Sequence, residues 1–430
     1  MPTARLAELL DFARWRELDI YSRFCFGAVL LITLSSNVST AAANIGLGLG
    51  ALVLIVEGVR RKKIPDFDRV IFALVVIHTA VWIVVSLAGF DPMHSLRELW
   101  GTTYRFIPLF LAMLVIKEPW QMRLVIASFA VSVGVDLIMA GWQMLTPEGR
   151  HWGIRPTGFN KSATFLASHM LMAIPFLFFA AQRNYLSQKL RRFCLGVGAA
   201  AIFFLFATQT RGAWLALGIV WIFFALSEKH LRRRLLQAFA FVLVVFFLVV
   251  NFCPSIQNRV ATLTDPKFQS NSERLLMWQS SVDIFSDYPV TGIGQDEFAV
   301  LYNTIYISPL AKELPKDPSD PRTGHTHPHN NLLKILSEGG ILGMVAFLLL
   351  HGYMVYRSWQ LWREEKRVGE KFPWGLAGIL MIMGIHLEGL TDTNITQVSI
   401  MREYWLLLGV IFAAAPPEIK RAGNLSNGGN

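Results

Sequence analysis

About twelve apolar runs, most of them near 20 residues long, recur between Tyr21 and Ala415. They fall roughly at 19–36, 40–59, 69–90, 103–117, 122–145, 163–182, 193–208, 213–227, 235–253, 331–356, 374–390 and 397–415. A helix of about 20 residues matches the ~30 Å hydrocarbon layer of a bilayer. A chain in that layer must satisfy its backbone groups internally, which leaves the helix as the element for such runs. The sequence therefore predicts an all-α, polytopic helical membrane protein with about twelve transmembrane helices.

Charge sets its orientation. Basic residues cluster in short loops at Arg60 to Lys63, Arg183 to Arg192, Lys229 to Arg234 and Arg357 to Lys371, and Lys420 and Arg421 lie near the end. Short loops rich in Lys and Arg stay in the cytoplasm, so both termini are expected there. These clusters account for the net charge of +10 without a nucleic-acid partner. Leu6, Leu9, Leu10, Ala13 and Trp15 recur at helical spacing, which predicts an interfacial helix and no signal peptide. Cys25, Cys194 and Cys253 lie in or beside apolar runs without paired spacing and read as packing residues.

The outward side receives short loops at Asp91 to Trp100 and Thr146 to Lys161, a turn at Thr208 to Arg211, and one large polar segment. The chain divides into helices one to nine over 1–253, the large loop over 254–328, helices ten to twelve over 329–416, and a polar tail over 417–430. Within the loop, Ser272 to Phe285 has a serine cap and apolar residues at helical spacing, followed by the turn-rich DYPVTGIGQDEF. The loop is too small for an independent domain, so its helices should lie over the membrane core.

The stretch RTGHTHPHNNLLKILSEGGILG, Arg322 to Gly343, joins that loop to the tenth apolar run. Asn330 and Asn331 suit a helix start, which places the helix at or just after His329. At about 100° per residue, Gly340 and Gly343 return to the side of His329, predicting a glycine face for a neighbouring helix below a histidine at the water boundary. The partial positive charge at a helix N-terminus favours a neutral imidazole, the form that accepts a proton as a general base. His325, His327 and His329 alternate along an extended stretch and could also face a zinc ion, although no fourth ligand is evident.

Arginines on the outward side form a second signal: Arg155, Arg211 and Arg274, with Arg105, Arg150 and Arg322 as lesser candidates. An arginine inside a span costs roughly 2.5–3.5 kcal/mol, so Arg211 between two apolar segments calls for an anion or an aqueous cleft. Guanidinium forks match phosphate oxygens two at a time. Single arginines at this level also snorkel to headgroups or pair with loop carboxylates. Glu388 and Asp392, four residues apart, could orient His329 or pair with the arginines. The first outward loop, SSNVST, offers no acid for the metal-assisted chemistry of many polyprenyl-dependent glycosyltransferases.

The pattern His329, Asn330, nine residues, then Gly340-x-x-Gly343 resembles the signature of the bacterial O-antigen ligase and polymerase superfamily. SERLLMW followed by YPVTGIGQDEF is similar to the segment before it, and the layout of spans around one large loop agrees. The resemblance implies a GT-C-like glycosyltransferase of the inner membrane, with its site at the periplasmic face. It implies transfer of a preassembled glycan from undecaprenyl pyrophosphate to a sugar hydroxyl of the lipid A core, without cofactor or metal. His329 would be the base, Arg211 and Arg274 would hold the departing pyrophosphate, and Arg155, Asn330, Arg105 and Arg322 would contact substrate. The step would be one inverting displacement by a monomer. A polymerase, a protein O-oligosaccharyltransferase, a lipid-linked glycan transporter or a non-catalytic scaffold are the alternatives.

Overall fold

The computed structural model describes residues 12–61, 68–146, 154–252, 254–261, 269–307 and 326–414. The described chain is helical, and each expected apolar run is occupied by a helix. In order these are α1 (Phe12–Glu17), α2 (Ile20–Ser35), α3 (Thr40–Arg61), α4 (Arg69–Ala88), α5 (Pro92–Thr103), α6 (Ile107–Val115), α7 (Pro119–Leu145), α8 (Ala163–Ala181) and α9 (Gln188–Ala207). There follow α10 (Arg211–Ser227), α11 (Arg232–Phe252), α12 (Pro254–Ala261), α13 (Gln269–Asp287), α14 (Phe298–Leu301), α15 (Asn331–Arg367), α16 (Trp374–Glu388) and α17 (Val398–Ala413). Among the described residues, seven helices are long and apolar enough to cross a membrane: α3, α4, α7, α8, α9, α11 and α15. Helices α2, α10 and α16 are apolar but shorter.

Local chemistry explains most boundaries. The seventh run begins earlier than its apolar residues, because the Ser187 hydroxyl accepts the Leu190 N–H and the basic residues form the first turn of α9. The expected loop at Asp91 to Trp100 is instead α5, with Asp91 capping the His94 N–H and Pro92 at its start. The helix expected over Ser272 to Phe285 lies within α13. Cys25 and Cys194 are buried, as packing residues should be, whereas Cys253 lies outside the described residues.

Helices α8, α16 and α17 are buried on nearly all sides and form the centre of the bundle. Around them, α8 packs on α9 and α16, α10 on α16, α15 on α16 and α4, and α17 on α6. Exposed Phe241, Phe247 and Phe252 on α11 mark an apolar outer surface suited to lipid. The loop helix α13 packs against α15.

Helix α15 does not run straight through its glycines. Gly340 takes φ +56°, breaking the helix. The backbone groups this releases are met by the turn-rich segment before α14. Ile293 and Gly294 N–H donate to the Ser337 and Glu338 carbonyls at 3.1 and 2.9 Å, and Ile341 and Leu342 N–H donate to the Pro289 and Val290 carbonyls at 2.9 and 3.2 Å. Gly340 and Gly292, both at positive φ, have backbone where a Cβ would stand. The expected helix face of Gly340 and Gly343 is thus corrected: Gly340 admits a loop, while Gly339 and Gly343 pack on Trp82 of α4.

Candidate functional site

The site gathers at the end of the bundle where α8, α10, α15 and α17 begin. Asn330 is the N-cap of α15, its side chain accepting from Leu332 and Leu333 N–H at 2.9 and 3.1 Å and donating to the Leu390 carbonyl at 3.0 Å. Asn331, the next residue, donates its N–H to the Gly389 carbonyl at 2.7 Å and clasps Asn394 through both side-chain amide atoms. The start of α15 is thereby fastened to the turn between α16 and α17. Asn330, expected as a substrate contact, has its amide committed to this fastening.

His329 precedes the cap at φ +50°, a left-handed backbone uncommon for a non-glycine residue. Its Nδ1 lies 3.0 Å from Asp392 Oδ1. Burial pushes the Asp392 carboxyl up, but the hydrogen bond and charge of His329, with the Thr393 N–H, outweigh it and hold the carboxyl below its usual range. Glu388 is the last residue of α16, and Asp392 lies in the turn beyond, so the two do not share a helix. Glu388 Oε2 instead accepts from Ser168 and Asn394, each at 2.7 Å.

Polar groups fix the arginines on neighbouring elements. Arg155 donates to the Thr208 carbonyl at 2.7 Å and to Thr210 Oγ1 at 3.0 Å. Its loop is pinned to α7 by Gln143, which accepts Thr157 and Gly158 N–H, and by Asp136, which accepts the Phe159 N–H. Arg211 opens α10 after Gln209 at φ +52°, and it donates to Asn271 at the start of α13 at 2.8 Å. Gly212 lets α10 sit directly against Thr391 of the α16–α17 turn. Arg274, half-buried on α13, acts electrostatically on Glu388. One turn later Trp278 donates to the Pro328 carbonyl at 2.9 Å, fixing the residue before His329. Arg211 and Arg274 thus lie on elements that touch the α16–α17 turn and the histidine loop, and Arg155 is held against the turn before Arg211.

Arg105 is placed elsewhere, on the far side of the α16–α17 turn, donating to the Thr396 and Ile395 carbonyls at 2.8 and 3.3 Å. Arg150, Arg322 and His325 lie outside the described residues. Of the three alternating histidines only His327 and His329 are described, and Asp392 stands with them. His327, His329 and Asp392 place ligand atoms within 4.8 Å of one another. Burial first, then the charges of His329 and Lys334, push His327 down to about 3, so its ring is neutral. The 3.0 Å His329–Asp392 separation is that of a direct hydrogen bond. Two ligands on one tetrahedral zinc at ~2.0 Å each would stand about 3.3 Å apart.

Asp66 and Asp68 form an Asp-x-Asp pair in the basic stretch after the second apolar run. Asp68 caps α4 and Asp66 lies outside the described residues. Sequence reasoning did not single out Asn271, Trp278 or the Asn331–Asn394 clasp. For Asp392 the signal was its place in the polar turn TDTN, just past the end of a buried helix.

Residues 196–348 match the family model described as O-antigen ligase, a span holding Arg211, Arg274, His329, Gly340 and Gly343. A curated relative, the O-antigen ligase of Salmonella typhimurium (strain LT2), is 24% identical over 305 residues, covering 68% of this chain and 71% of the relative. With the polytopic helical fold and the His-Asn, Gly-x-x-Gly segment lying in the matched span, the chain is similar to O-antigen ligases.

Proposed function

We propose that the protein transfers a preassembled glycan from undecaprenyl pyrophosphate to a sugar hydroxyl of the lipid A core, with His329 as general base and Asp392 as its positioning residue. The observation that carries this reading is the 3.0 Å His329–Asp392 contact, at the end of the bundle that also carries Arg155 and Arg211. With Nδ1–H directed to the carboxylate, Nε2 is the nitrogen left to take a proton. The acceptor oxygen, losing its proton to Nε2, attacks the anomeric carbon, and the bond to the pyrophosphate breaks with inversion. Arg211 and Arg274, helped by Arg155, neutralise the departing pyrophosphate.

In this reading both termini are cytoplasmic, and the site with the 254–328 segment faces the periplasm across the inner membrane. The test is reconstituted transfer with purified protein, lipid-linked glycan and lipid A core, with and without chelator. Glycan on the core at an unchanged rate in chelator is expected. Longer lipid-linked glycan without core would replace this reading with a polymerase, and transfer to a protein acceptor alone would replace it with an oligosaccharyltransferase. The cluster of His327, His329 and Asp392 favours one second reading, a metal-bound site. Loss of transfer in chelator, restored by zinc, would establish it.

A further inference from the structure

On the other side of the α16–α17 turn from the arginine row lies a separate cavity of about 80 Å³, between α4, α5, α15 and α17. Arg105, Gln295, Thr102 and Thr103 line it together with the Lys334–Glu338 pair. At roughly 10–15 Å³ per water-sized group, this volume takes about five to eight such groups, the size of a phosphate. Its charges are unevenly placed, with both nearby carboxylates drawn to one cation. Lys334 is neutralised by Glu338 and by Asp296 at 3.2 Å. Arg105 is only 6% exposed, its Nε has no hydrogen-bond partner, and no carboxylate lies within ion-pair distance of it among the described residues. Glu98 and Asp296 act on it only from further away. The neighbouring Arg402, fully buried, adds a like charge that Glu403 partly offsets, and its own Nε and Nη2 are unpartnered. A buried cation with unused donors is costly until an anion meets it.

Position tells which molecule brings that anion. The turn that presents Asp392 to His329 presents its Ile395 and Thr396 carbonyls to Arg105, three and four residues later. Lys334, on the cavity wall, is close enough to His327 to act on it electrostatically. The base thus has the arginine row and this cavity as neighbours.

Resting on the reading above, in which the arginine row serves the donor, we propose that this cavity binds a phosphate group carried by the acceptor lipid, with Arg105 as the acceptor-recognition residue. Two charged substrates then approach His329 without competing for the same guanidinium groups.

The test compares phosphorylated lipid A core with the same acceptor after phosphatase treatment. A charge-assisted hydrogen bond is worth about 1.5–3 kcal/mol, so dephosphorylation should raise the wild-type acceptor KM about tenfold or more. Arg105→Gln should show the same rise on the phosphorylated acceptor, no response to phosphatase treatment, and an unchanged donor KM. A loss of kcat equal on both acceptors, or a raised donor KM, would overturn the proposal and leave Arg105 as a brace for the 395–396 backbone. Inorganic phosphate that raises the melting temperature of wild type but not of Arg105→Gln, with acceptor KM indifferent to phosphatase, would assign the site to free phosphate and also overturn it. Retention of phosphorylated core lipid, read by native mass spectrometry, needs no turnover. If wild type transfers nothing, the functional reading fails, while equal retention by wild type and Arg105→Gln would separately refute the cavity assignment.

Discussion

His329 occupies a left-handed backbone position, sits one residue before a helix cap, and has one ring nitrogen tied to Asp392. Each of these restrains the imidazole, and strain of this sort persists only where its surroundings enforce it. His329→Ala should lower turnover by about 10²–10⁴ while leaving the melting temperature in detergent nearly unchanged. Asp392→Asn keeps the size of the side chain but no longer fixes the tautomer. It should lower kcat by on the order of 10² or more with donor KM unchanged, as expected of a residue acting through the base. Arg211→Ala should instead raise donor KM as well as lower kcat, and a donor response equal to wild type would remove its pyrophosphate role.

At the scale of elements, the break in α15 and the segment 289–294 that fills it form one unit, tying the large loop to the tenth span through four backbone hydrogen bonds. Gly340→Ala would place a side chain at φ +56° and against the Val290 backbone. The left-handed conformation alone costs about 1–2 kcal/mol, so a melting point several degrees lower is expected, with transfer reduced as α13 loosens. An unchanged melting curve would mean the loop is held from elsewhere. Helix α13 carries Asn271, Arg274 and Trp278 on one rigid segment, so it couples the arginine row to the histidine loop. Trp278→Phe keeps the packing and deletes the bond to Pro328. It should lower kcat more than stability.

For the whole molecule, the orientation is open to a direct check by labelling. Gln279 on α13 and Lys189 at the start of α9 are both exposed, and cysteines at these places in a chain lacking Cys253 should react with an impermeant maleimide from opposite sides of the membrane. Labelling of both from one side would reverse the loop assignment. The apolar runs and the basic loops were legible because each is a local property of the chain: length and hydropathy decide that a segment becomes a helix in lipid, and loop charge biases which side it faces. The capping of α15 by Asn330 was legible for the same reason, since a cap needs only its next three residues.

What the sequence by itself determined, then, was the helical class, the number and order of apolar runs, and the candidate residues His329, Arg155, Arg211 and Arg274. What only the tertiary structure decided was their pairing. Asp392, and not Glu388, meets His329, because α16 ends at Glu388 and the turn beyond it is clasped by Asn331. Arg105 parts from the other arginines because that same turn stands between them. Gly340 became a break because a loop about fifty residues earlier in the chain order supplied the hydrogen bonds that a straight helix would have made for itself. Contacts between segments distant in sequence leave no period and no spacing to read, and in a bundle of many helices it is packing that selects which polar groups meet.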